Sequence, residues 1–527
     1  MTGNVWSAGV SRVRRWVAHP QAGSIALVLV CAFGLAFRLW NVGFGFPYLR
    51  HPDEGHNIRH ALRIVNERDL NPHFFRYPSG VFYLNALVEI IYFGIARVFG
   101  KLTHFSDIQG PIEPIWGSGF APSVAPFMLG RLLSVAAGVG CVALVFYLVR
   151  RLSGRDRDAL LAALLTAVSP VCVIQSRYVA PDSITTFFVT LALLFAANVF
   201  VHGKLRDYCL AGAAIGLAGF AKYNGAMVAL AVTAAHLARP RVFRDVWKLV
   251  VAGVISVLAF LITNPYVVLD YKTFKHDLSF GEQRYAQGLV GLEGSAFDFY
   301  KDWLLTQEGG MSVFAALFVV LGVLRRSRAW LFLSAFPLAY LIFISRYAIY
   351  NDRTLLPVVP LLCAMAAMAF FAILDWVLAR SERPWLRRAT LLGATVLGAY
   401  LVLFPAWRSF DLSLPIGRRD SVDEARDWIN ANLPAGARVA IEPYAPFVDT
   451  GRYLVQGFPT LSQHPASWYA QRFDYLVLSS ATYKRYEAQR SRQRRRLNMY
   501  ASLVKSFKLV KLFADDANVI QILRTQH

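Results

Sequence analysis

The sequence predicts an α-helical polytopic membrane protein of about eleven transmembrane helices, followed by a small α/β domain outside the membrane. Two observations predict the membrane part: 56% of the 527 residues are hydrophobic, and apolar runs long enough to cross a bilayer recur between residues 23 and 405. A third predicts the other part, because hydropathy drops from Trp407 onward. We therefore expect a transmembrane module over residues 1–406 and a soluble domain over residues 407–527.

The chain carries a formal net charge of +22 and five cysteines. An excess of Arg and Lys is expected in the cytoplasmic loops of a membrane protein, so this charge does not indicate binding to nucleic acid. The cysteines lie in or beside apolar segments without paired spacing, which is typical of small core residues rather than of disulfides or metal ligands. They are Cys31, Cys141, Cys172, Cys209 and Cys363.

The positions of Arg and Lys predict which ends of the spans face the cytoplasm. Residues 1–18 are basic and lack a clear cleavage site, so we expect a cytoplasmic N-terminus and a retained first span over about 23–41. Strongly basic runs, such as residues 150–157 and 380–388, then fall where alternation requires a cytoplasmic loop. This alternation is the basis for eleven spans in the inner (plasma) membrane.

Two long loops are predicted on the outer, periplasmic face. The first covers residues 43–128, with helices at 57–68 and 81–99 lying in or dipping into the membrane interface. The second covers residues 265–310. The segment 81–99 is apolar, but a single crossing there would reverse the orientation of every later span.

The soluble domain is predicted on the same outer face. Ser421 to Glu424 form a capping-box pattern that begins an amphipathic helix, and residues 438–442, 473–479 and 518–523 read as strands. A basic run at residues 490–496 could contact anionic lipid headgroups, although a solvated helix face is the more common explanation.

Asp53 and Glu54 follow directly after the first span. Carboxylates beside lipid are costly unless they have a function there, although loop charges that cap a following helix are the simpler alternative. With the predicted topology, several basic side chains also lie at outer ends of spans, together with Asp182. They are Arg131, Arg177, Lys222 and Arg346.

This combination of acidic and basic groups suits one kind of chemistry. Arg and Lys at headgroup depth suit a phosphate, because Arg offers a forked set of donors and Lys a point charge. A nearby carboxylate suits removal of a proton from an attacking hydroxyl or amine. The pattern therefore indicates group transfer from a lipid-linked phosphate donor.

The same residues carry a resemblance to a known family. The Asp53-Glu54 pair resembles the acidic pair in the first outer loop of the membrane-embedded GT-C glycosyltransferases. The closest likeness is to the branch with protein O-mannosyltransferases and lipid A aminoarabinose transferases. Further similar motifs are His73 to Gly80, with Ser79 where a second proline is frequent, Arg131 to Ser134, Arg177 with Pro181-Asp182, Lys222 to Gly225, and Arg346-Tyr347 with Leu356 to Pro360.

The resemblance implies a fold and an activity. The fold would be of the GT-C type, and the protein would be an inverting glycosyltransferase in the membrane. Its donor partner would be a polyprenyl-phosphate sugar, and its acceptor a protein, a lipid A or other glycolipid, or a polysaccharide. Neither the sugar nor the acceptor can be read from the sequence.

The resemblance also implies roles for single residues. Asp53 would be the general base, and Glu54 would orient a substrate. Arg131 and Arg346 would bind the donor phosphate, with Arg177, Lys222 and Arg353 as further candidates. The residues expected to line the substrate site are His56, Tyr77, Asp182, Tyr223 and Tyr347, although interfacial anchoring would equally explain Tyr77 and Tyr223.

No cofactor is expected to be required. His51, Asp53, Glu54 and His56 could ligate a divalent metal, but a cationic phosphate site makes a metal unnecessary and the spacing matches no zinc pattern. Two other functions stay open. One is a flippase or transporter of lipid-linked sugars, and the other is a polysaccharide ligase or polymerase that uses pyrophosphate-linked donors.

Overall fold

The structure is a computed structural model that describes residues 22–240, 243–288, 290–291 and 294–525. The predicted cytoplasmic N-terminus and its basic residues lie outside the described residues. The part of the chain before the soluble domain is mainly helical. Its helices are α1 Ala22–Leu39, α2 Pro52–Asn66, α3 Gly80–Val98, α4 Ala125–Ser153, α5 Asp156–Val168, α6 Pro170–Gln175, α7 Pro181–Val201, α8 Leu205–Ala221, α9 Ala229–Leu237, α10 Val246–Thr263, α11 Tyr266–Leu269, α12 Tyr271–Gln287, α13 Ala296–Thr306, α14 Gly310–Leu324, α15 Arg328–Ile344, α16 Val359–Arg380 and α17 Pro384–Ser413.

Within the described residues, six helices are long and apolar enough to cross a membrane, or seven if α13 and α14, which meet at 110°, form one broken span. The chain is therefore a multi-pass membrane protein, and the count of eleven spans stays a prediction. Helix α3 is one of the six. Its predicted position along the interface also stays a prediction, because its length and composition would allow it to cross.

Small side chains let the helices approach closely. A Cβ on Gly212 of α8 would lie 2.3 Å from the carbonyl oxygen of Ala252 in α10, and one on Gly216 would lie 2.5 Å from that of Ser256. This is the spacing of a small-xxx-small motif, which brings two helix backbones together in membranes. The bundle core is likewise rich in Ala and Val, with residues 359–369 of α16 fully or almost fully buried.

Residues 43–128, predicted as the first outer loop, contain α2, α3 and a small antiparallel sheet. The strands are β1 Tyr48–Leu49, β2 Ile112–Ile115 and β3 Ser118–Phe120, and β3 lies in the middle. The helices predicted at 57–68 and 81–99 are confirmed, but the first begins five residues earlier than expected. It begins at Pro52 because His51 accepts a hydrogen bond from the Asp53 amide and Pro52 occupies the first turn, where no N–H is needed.

The soluble domain is a five-stranded mixed sheet with helices. Its strands are β4 Arg438–Ile441, β5 Leu454–Gly457, β6 Tyr475–Ser479, β7 Lys508–Ala514 and β8 Val519–Arg524, in the order β5-β4-β6-β8-β7, with β4 parallel to both neighbours and β8 antiparallel to both of its neighbours. Its helices are α18 Ser421–Asn432, α19 Ala466–Arg472, α20 Ser480–Ala488 and α21 Arg494–Ser506. The predicted helix and three predicted strands are confirmed, while β5 and β7 were not predicted. The predicted boundary at 406/407 falls inside α17.

The soluble domain packs on the first outer loop. Arg50 forms ion pairs with Asp420 at 2.9 Å and Asp423 at 2.6 Å, and the Phe447 ring stacks on Phe120 of β3 at 5.3 Å. Tyr444 and Trp116 make a second aromatic contact at 5.2 Å. The soluble domain and the Asp53-Glu54 pair therefore lie on the same side of the helix bundle.

Candidate active site

Asp53 and Glu54 lie in the first turn of α2, where the partial positive charge of the helix end favours carboxylates. Successive residues of an α-helix point about 100° apart, so the two side chains face different surroundings. Glu54 is fully buried, whereas the side chain of Asp53 keeps 15% of its exposure. Their partners differ accordingly.

Glu54 pairs with Arg131 of α4 inside the fold. Arg131 Nε and Nη2 each donate to one Glu54 oxygen at 2.7 Å, and both side chains are completely buried. Arg131 Nη1 donates to the carbonyls of Val42 and Phe44, at 2.7 and 2.9 Å. Four of its five N–H groups are thus occupied, so this placement argues against the predicted contact between Arg131 and a donor phosphate.

Asp53 pairs with Arg353, which lies in the 3-10 turn Asp352–Leu355 between α15 and α16. Burial raises the pKa of Asp53, but the adjacent Arg353 and His51 outweigh it, and the net effect is a pKa below the usual carboxyl value. The Arg353 side chain keeps 23% of its exposure. This ion pair is therefore ionised, partly solvated and open on one side.

A second ion pair joins Asp182 in the first turn of α7 to Lys222 at the end of α8, at 2.8 Å. Asp182 Oδ2 is buried and accepts no hydrogen bond among the described residues. Asp352 lies beside Arg353 and accepts a hydrogen bond from Gln175 at 2.8 Å, and burial raises its pKa. Three carboxylates and two cations thus gather at one end of the bundle, around the starts of α2, α7 and α16 and the end of α8.

The loop before α3 covers this cluster with Tyr77. Burial and the nearby Asp53 carboxylate raise the pKa of Tyr77, so its hydroxyl stays neutral. Asp277 of α12 accepts a hydrogen bond from the Phe75 amide at 2.8 Å, and Tyr223 donates to the Phe75 carbonyl at 2.9 Å. Tyr223 therefore holds the segment that carries Tyr77, and its hydroxyl is already occupied.

Two other predicted residues pack inside the fold. Arg177 is 1% exposed and donates to the carbonyl of Phe37, at the end of α1, so it lies outside the cluster of carboxylates. His56 is half-buried and lies one turn after Asp53 on α2, close enough for the Asp53 carboxylate to influence it. Its ring packs against His60 and Phe74 at 4.3 and 4.4 Å, and burial lowers its pKa to about 4. A neutral imidazole enclosed by rings is typical of packing, so His56 borders the cluster as an uncharged group.

Arg346 and Tyr347 follow α15 on the same side of the bundle. Arg346 is exposed and forms no ion pair within the described residues. Tyr347 packs against Tyr285 of α12 at 5.4 Å. The second outer loop therefore reaches over this end of the bundle through α12, and the Ala348 amide donates to the Tyr285 carbonyl at 3.1 Å.

Sequence reasoning missed Arg76 and Asp352 as site residues. The Arg76 guanidinium is exposed and lies 4.1 Å above the Phe280 ring of α12, and it has no carboxylate partner in the part of the chain that the structure describes. Arg76 directly precedes the predicted residue Tyr77, and Asp352 directly precedes the predicted residue Arg353. This adjacency is the signal in the sequence that could have indicated them. Among the described residues, no group of three or more His, Cys, Asp or Glu side chains is arranged to hold a metal ion.

Comparisons with solved structures identify the fold. ArnT from Cupriavidus metallidurans bound to undecaprenyl phosphate is 17% identical with a TM-score of 0.53, covering 95% of this chain and 98% of that one. The oligosaccharyltransferase of Archaeoglobus fulgidus, tethered with an acceptor peptide, is 13% identical with a TM-score of 0.57, covering 96% of this chain and 74% of that one. The chain therefore has the fold of the membrane-embedded GT-C glycosyltransferases.

Part of the chain also matches one family of these glycosyltransferases in sequence. Residues 111–276 match the model of the dolichyl-phosphate-mannose-protein mannosyltransferases. Dolichyl-phosphate-mannose–protein mannosyltransferase 1 of Saccharomyces cerevisiae is 25% identical over 162 residues, covering 26% of this chain and 20% of the relative. This chain thus matches about a fifth of the length of that curated relative. The resemblance predicted from the sequence is confirmed, and the matched segment includes Asp182 and Lys222 but not Asp53 or Arg353.

Proposed function

We propose that this protein is an integral-membrane glycosyltransferase that transfers a sugar from a polyprenyl-phosphate donor to an acceptor on the outer face of the inner membrane, with inversion at the anomeric carbon. The observation that carries the proposal is the open Asp53–Arg353 pair beside Asp182–Lys222, at one end of the bundle. An ionised carboxylate next to cations is what deprotonation of an acceptor and departure of a phosphate require. The fold and the mannosyltransferase match of residues 111–276 support the same reaction class.

The step is a single displacement. Asp53 takes the proton of the acceptor hydroxyl or amine as its oxygen or nitrogen attacks the anomeric carbon. The bond from that carbon to the donor phosphate oxygen breaks, and the electron pair leaves with the polyprenyl phosphate. Because a phosphate is a stable anion, this leaving group needs no general acid. Attack from the face opposite to the phosphate inverts the anomeric configuration.

The cations of the cluster would bind the donor phosphate. In the described structure Arg353 and Lys222 are neutralised by Asp53 and Asp182. A donor phosphate would compete for these cations. As Arg353 turns toward the phosphate, Asp53 loses the influence that lowers its pKa and becomes a stronger base. Donor binding would thus activate the base before the acceptor reacts.

Three further residues would complete the donor site. Arg346 and Arg76 are exposed guanidinium groups on the segments that border the cluster, and both are free to meet a phosphate or pyranose oxygen. Tyr77, neutral and close to Asp53, would donate a hydrogen bond to the sugar. Glu54 and Arg131 would act indirectly, by fixing the start of α2 against α4.

The test uses purified protein in nanodiscs with a panel of undecaprenyl-phosphate sugars, with and without a membrane extract as the acceptor source. We expect release of undecaprenyl phosphate from one donor, dependent on the extract, and a product of inverted anomeric configuration by NMR. Release that needs no acceptor, or a product of retained configuration, would contradict the single displacement. Turnover of pyrophosphate-linked donors alone would contradict the donor class.

A further inference from the structure

A cavity lies at the end of the bundle opposite to the candidate active site. It has a volume of about 660 Å³. Residues near the end of α9 and the start of α15 line it: Ala234, Leu237, Ala238, Arg239, Pro240, Arg328, Leu331 and Phe332. Helix α9 runs away from Lys222 and Tyr223, and α15 runs toward Arg346. Both helices therefore place the cavity a full helix length away from Asp53.

The wall of this cavity is apolar and its rim is cationic. Ala234, Leu237, Leu331 and Phe332 contribute apolar surface, and Arg239 and Arg328 are the charged residues that line it. No carboxylate lines it among the described residues. Apolar surface next to two guanidinium groups is complementary to a lipid, whose acyl chains adjoin a phosphate.

The fold holds Arg239 firmly at this rim. The Arg239 guanidinium packs against Gly203: a Cβ atom added to Gly203 would lie 1.9 Å from Cζ of Arg239. Gly203 also has a φ of +64°, a backbone conformation that favours glycine. Nη1 donates to the Val199 carbonyl at 2.5 Å, while the buried Nε donates to nothing in the described part of the chain. Nη2 lies 4.0 Å from Asp245, beyond hydrogen-bond distance, so its N–H groups are the ones left for a ligand.

The charges around the rim are not balanced. Asp245 is the acid that meets Arg239, at 4.0 Å, and it already binds Lys248 at 3.0 Å. Arg328 is exposed, forms no ion pair within the described residues, and begins α15, whose N-terminal end adds partial positive charge. A phosphate between Arg239 and Arg328 would neutralise this excess.

We propose that this cavity binds the phosphate headgroup of an anionic phospholipid from the leaflet opposite to the active site. The phosphodiester would accept hydrogen bonds from Arg328 and from Nη2 of Arg239. One acyl chain would lie along Leu237 and Leu331, which are 60% and 43% exposed. The proposal is independent of the glycosyltransferase reaction, because no residue of the cavity belongs to the catalytic cluster.

Native mass spectrometry of the delipidated protein tests the proposal. The probes are phosphatidylglycerol and phosphatidylcholine with identical acyl chains, undecaprenyl phosphate, and inorganic phosphate. We expect one phosphatidylglycerol to be retained in preference to phosphatidylcholine. Arg328→Gln should weaken that retention about fivefold, which corresponds to the ~1 kcal/mol contributed by one basic residue near a lipid surface. Ala234→Leu should reduce retention by narrowing the apolar part of the cavity.

Arg326→Gln is the matched control. Arg326 is an exposed arginine two residues from Arg328 that does not line the cavity, so it should retain the lipid as the wild type does. Thermal midpoints show whether each variant is folded. Equal retention of phosphatidylcholine, or equal losses in Arg326→Gln and Arg328→Gln, would overturn the proposal. Preferential retention of undecaprenyl phosphate, or a thermal shift with inorganic phosphate alone, would overturn the assignment to a phospholipid.

Discussion

Asp53 and Glu54 are neighbours in the chain, and each pairs with an arginine, yet the two ion pairs are opposites. Glu54–Arg131 is fully buried, bidentate and supported by two backbone carbonyls. The Asp53 and Arg353 side chains keep 15% and 23% of their exposure, and among the described residues no backbone carbonyl accepts a hydrogen bond from the Arg353 guanidinium. One helix turn therefore carries a fully buried ion pair and a partly exposed one, and only the second fits the proposed displacement by a donor phosphate.

The two ion pairs differ in the free-energy cost of separating the arginine from its carboxylate. Moving Arg131 would leave Glu54 as an uncompensated charge in a dry environment, which is costly. Moving Arg353 would leave the Asp53 carboxylate partly exposed to solvent and near the His51 ring, which also favours its charged form. Exchange of a carboxylate for a phosphate is thus possible only at the second pair, and the predictions below test this contrast.

The largest effect is expected for Asp53→Asn. A positioned general base typically contributes ~10²–10⁴-fold to the rate, so donor turnover should fall by about that factor. The thermal midpoint should stay close to that of the wild type because the side chain is isosteric and partly exposed. Turnover is measured as undecaprenyl phosphate released in nanodiscs. The control is Glu67→Gln, which changes an exposed acid directly after α2. If Asp53→Asn turned over the donor at the wild-type rate, Asp53 would not be the general base.

Glu54→Gln should instead reduce stability. Removing one partner of a buried ion pair costs roughly 3–5 kcal/mol, because the other charge is left unpaired. A large drop in the thermal midpoint in detergent is therefore expected, with loss of folded protein. The double variant Glu54→Met/Arg131→Met removes both charges and should recover much of the midpoint. If Glu54→Gln were as stable as Asp53→Asn, the contrast between the two pairs would be wrong.

Arg353→Gln should change donor affinity and pH dependence together. Hydrogen bonds to charged groups contribute ~1.5–3 kcal/mol, so the KM for the donor should rise tenfold or more. In the wild type Asp53 has a lowered pKa, so base activity should persist as the pH falls below the usual carboxyl range. Without Arg353, burial raises the pKa of Asp53, and the acid limb of kcat/KM should move to higher pH.

Arg59→Gln is the matched control for that measurement. Arg59 is a half-exposed arginine of α2, the helix that carries Asp53, and it pairs with Glu113 rather than with a cluster residue. It should leave both the KM and the acid limb unchanged. A raised KM in Arg353→Gln with an unmoved acid limb would separate phosphate binding from activation of Asp53 and contradict the coupling between them.

The sequence predicted the membrane class and the first helix and three strands of the C-terminal domain, because hydropathy and its periodicity are local properties. It named Arg353 and Lys222 among five basic candidates, but it did not predict that these two lie beside Asp53. Arg131 and Arg177 lie near helix ends, as Lys222 does, but the direction of a side chain depends on the neighbouring helix. Asp53 and Arg353 are separated by 300 positions, so no local pattern could pair them.

The smallest effect is expected at a third arginine–carboxylate contact, where Arg50 of the first outer loop meets Asp420 and Asp423 of the soluble domain. Arg50 is 23% exposed, and pairs that remain in contact with water contribute only ~0.2–1 kcal/mol. Arg50→Gln should therefore leave the thermal midpoint almost unchanged while hydrogen exchange at the start of α18 increases. Donor turnover should stay at the wild-type level, because Asp53–Arg353 is untouched. A fall in turnover comparable with that of Arg353→Gln would mean that docking of the soluble domain, and not only the open ion pair, sets the geometry of the site.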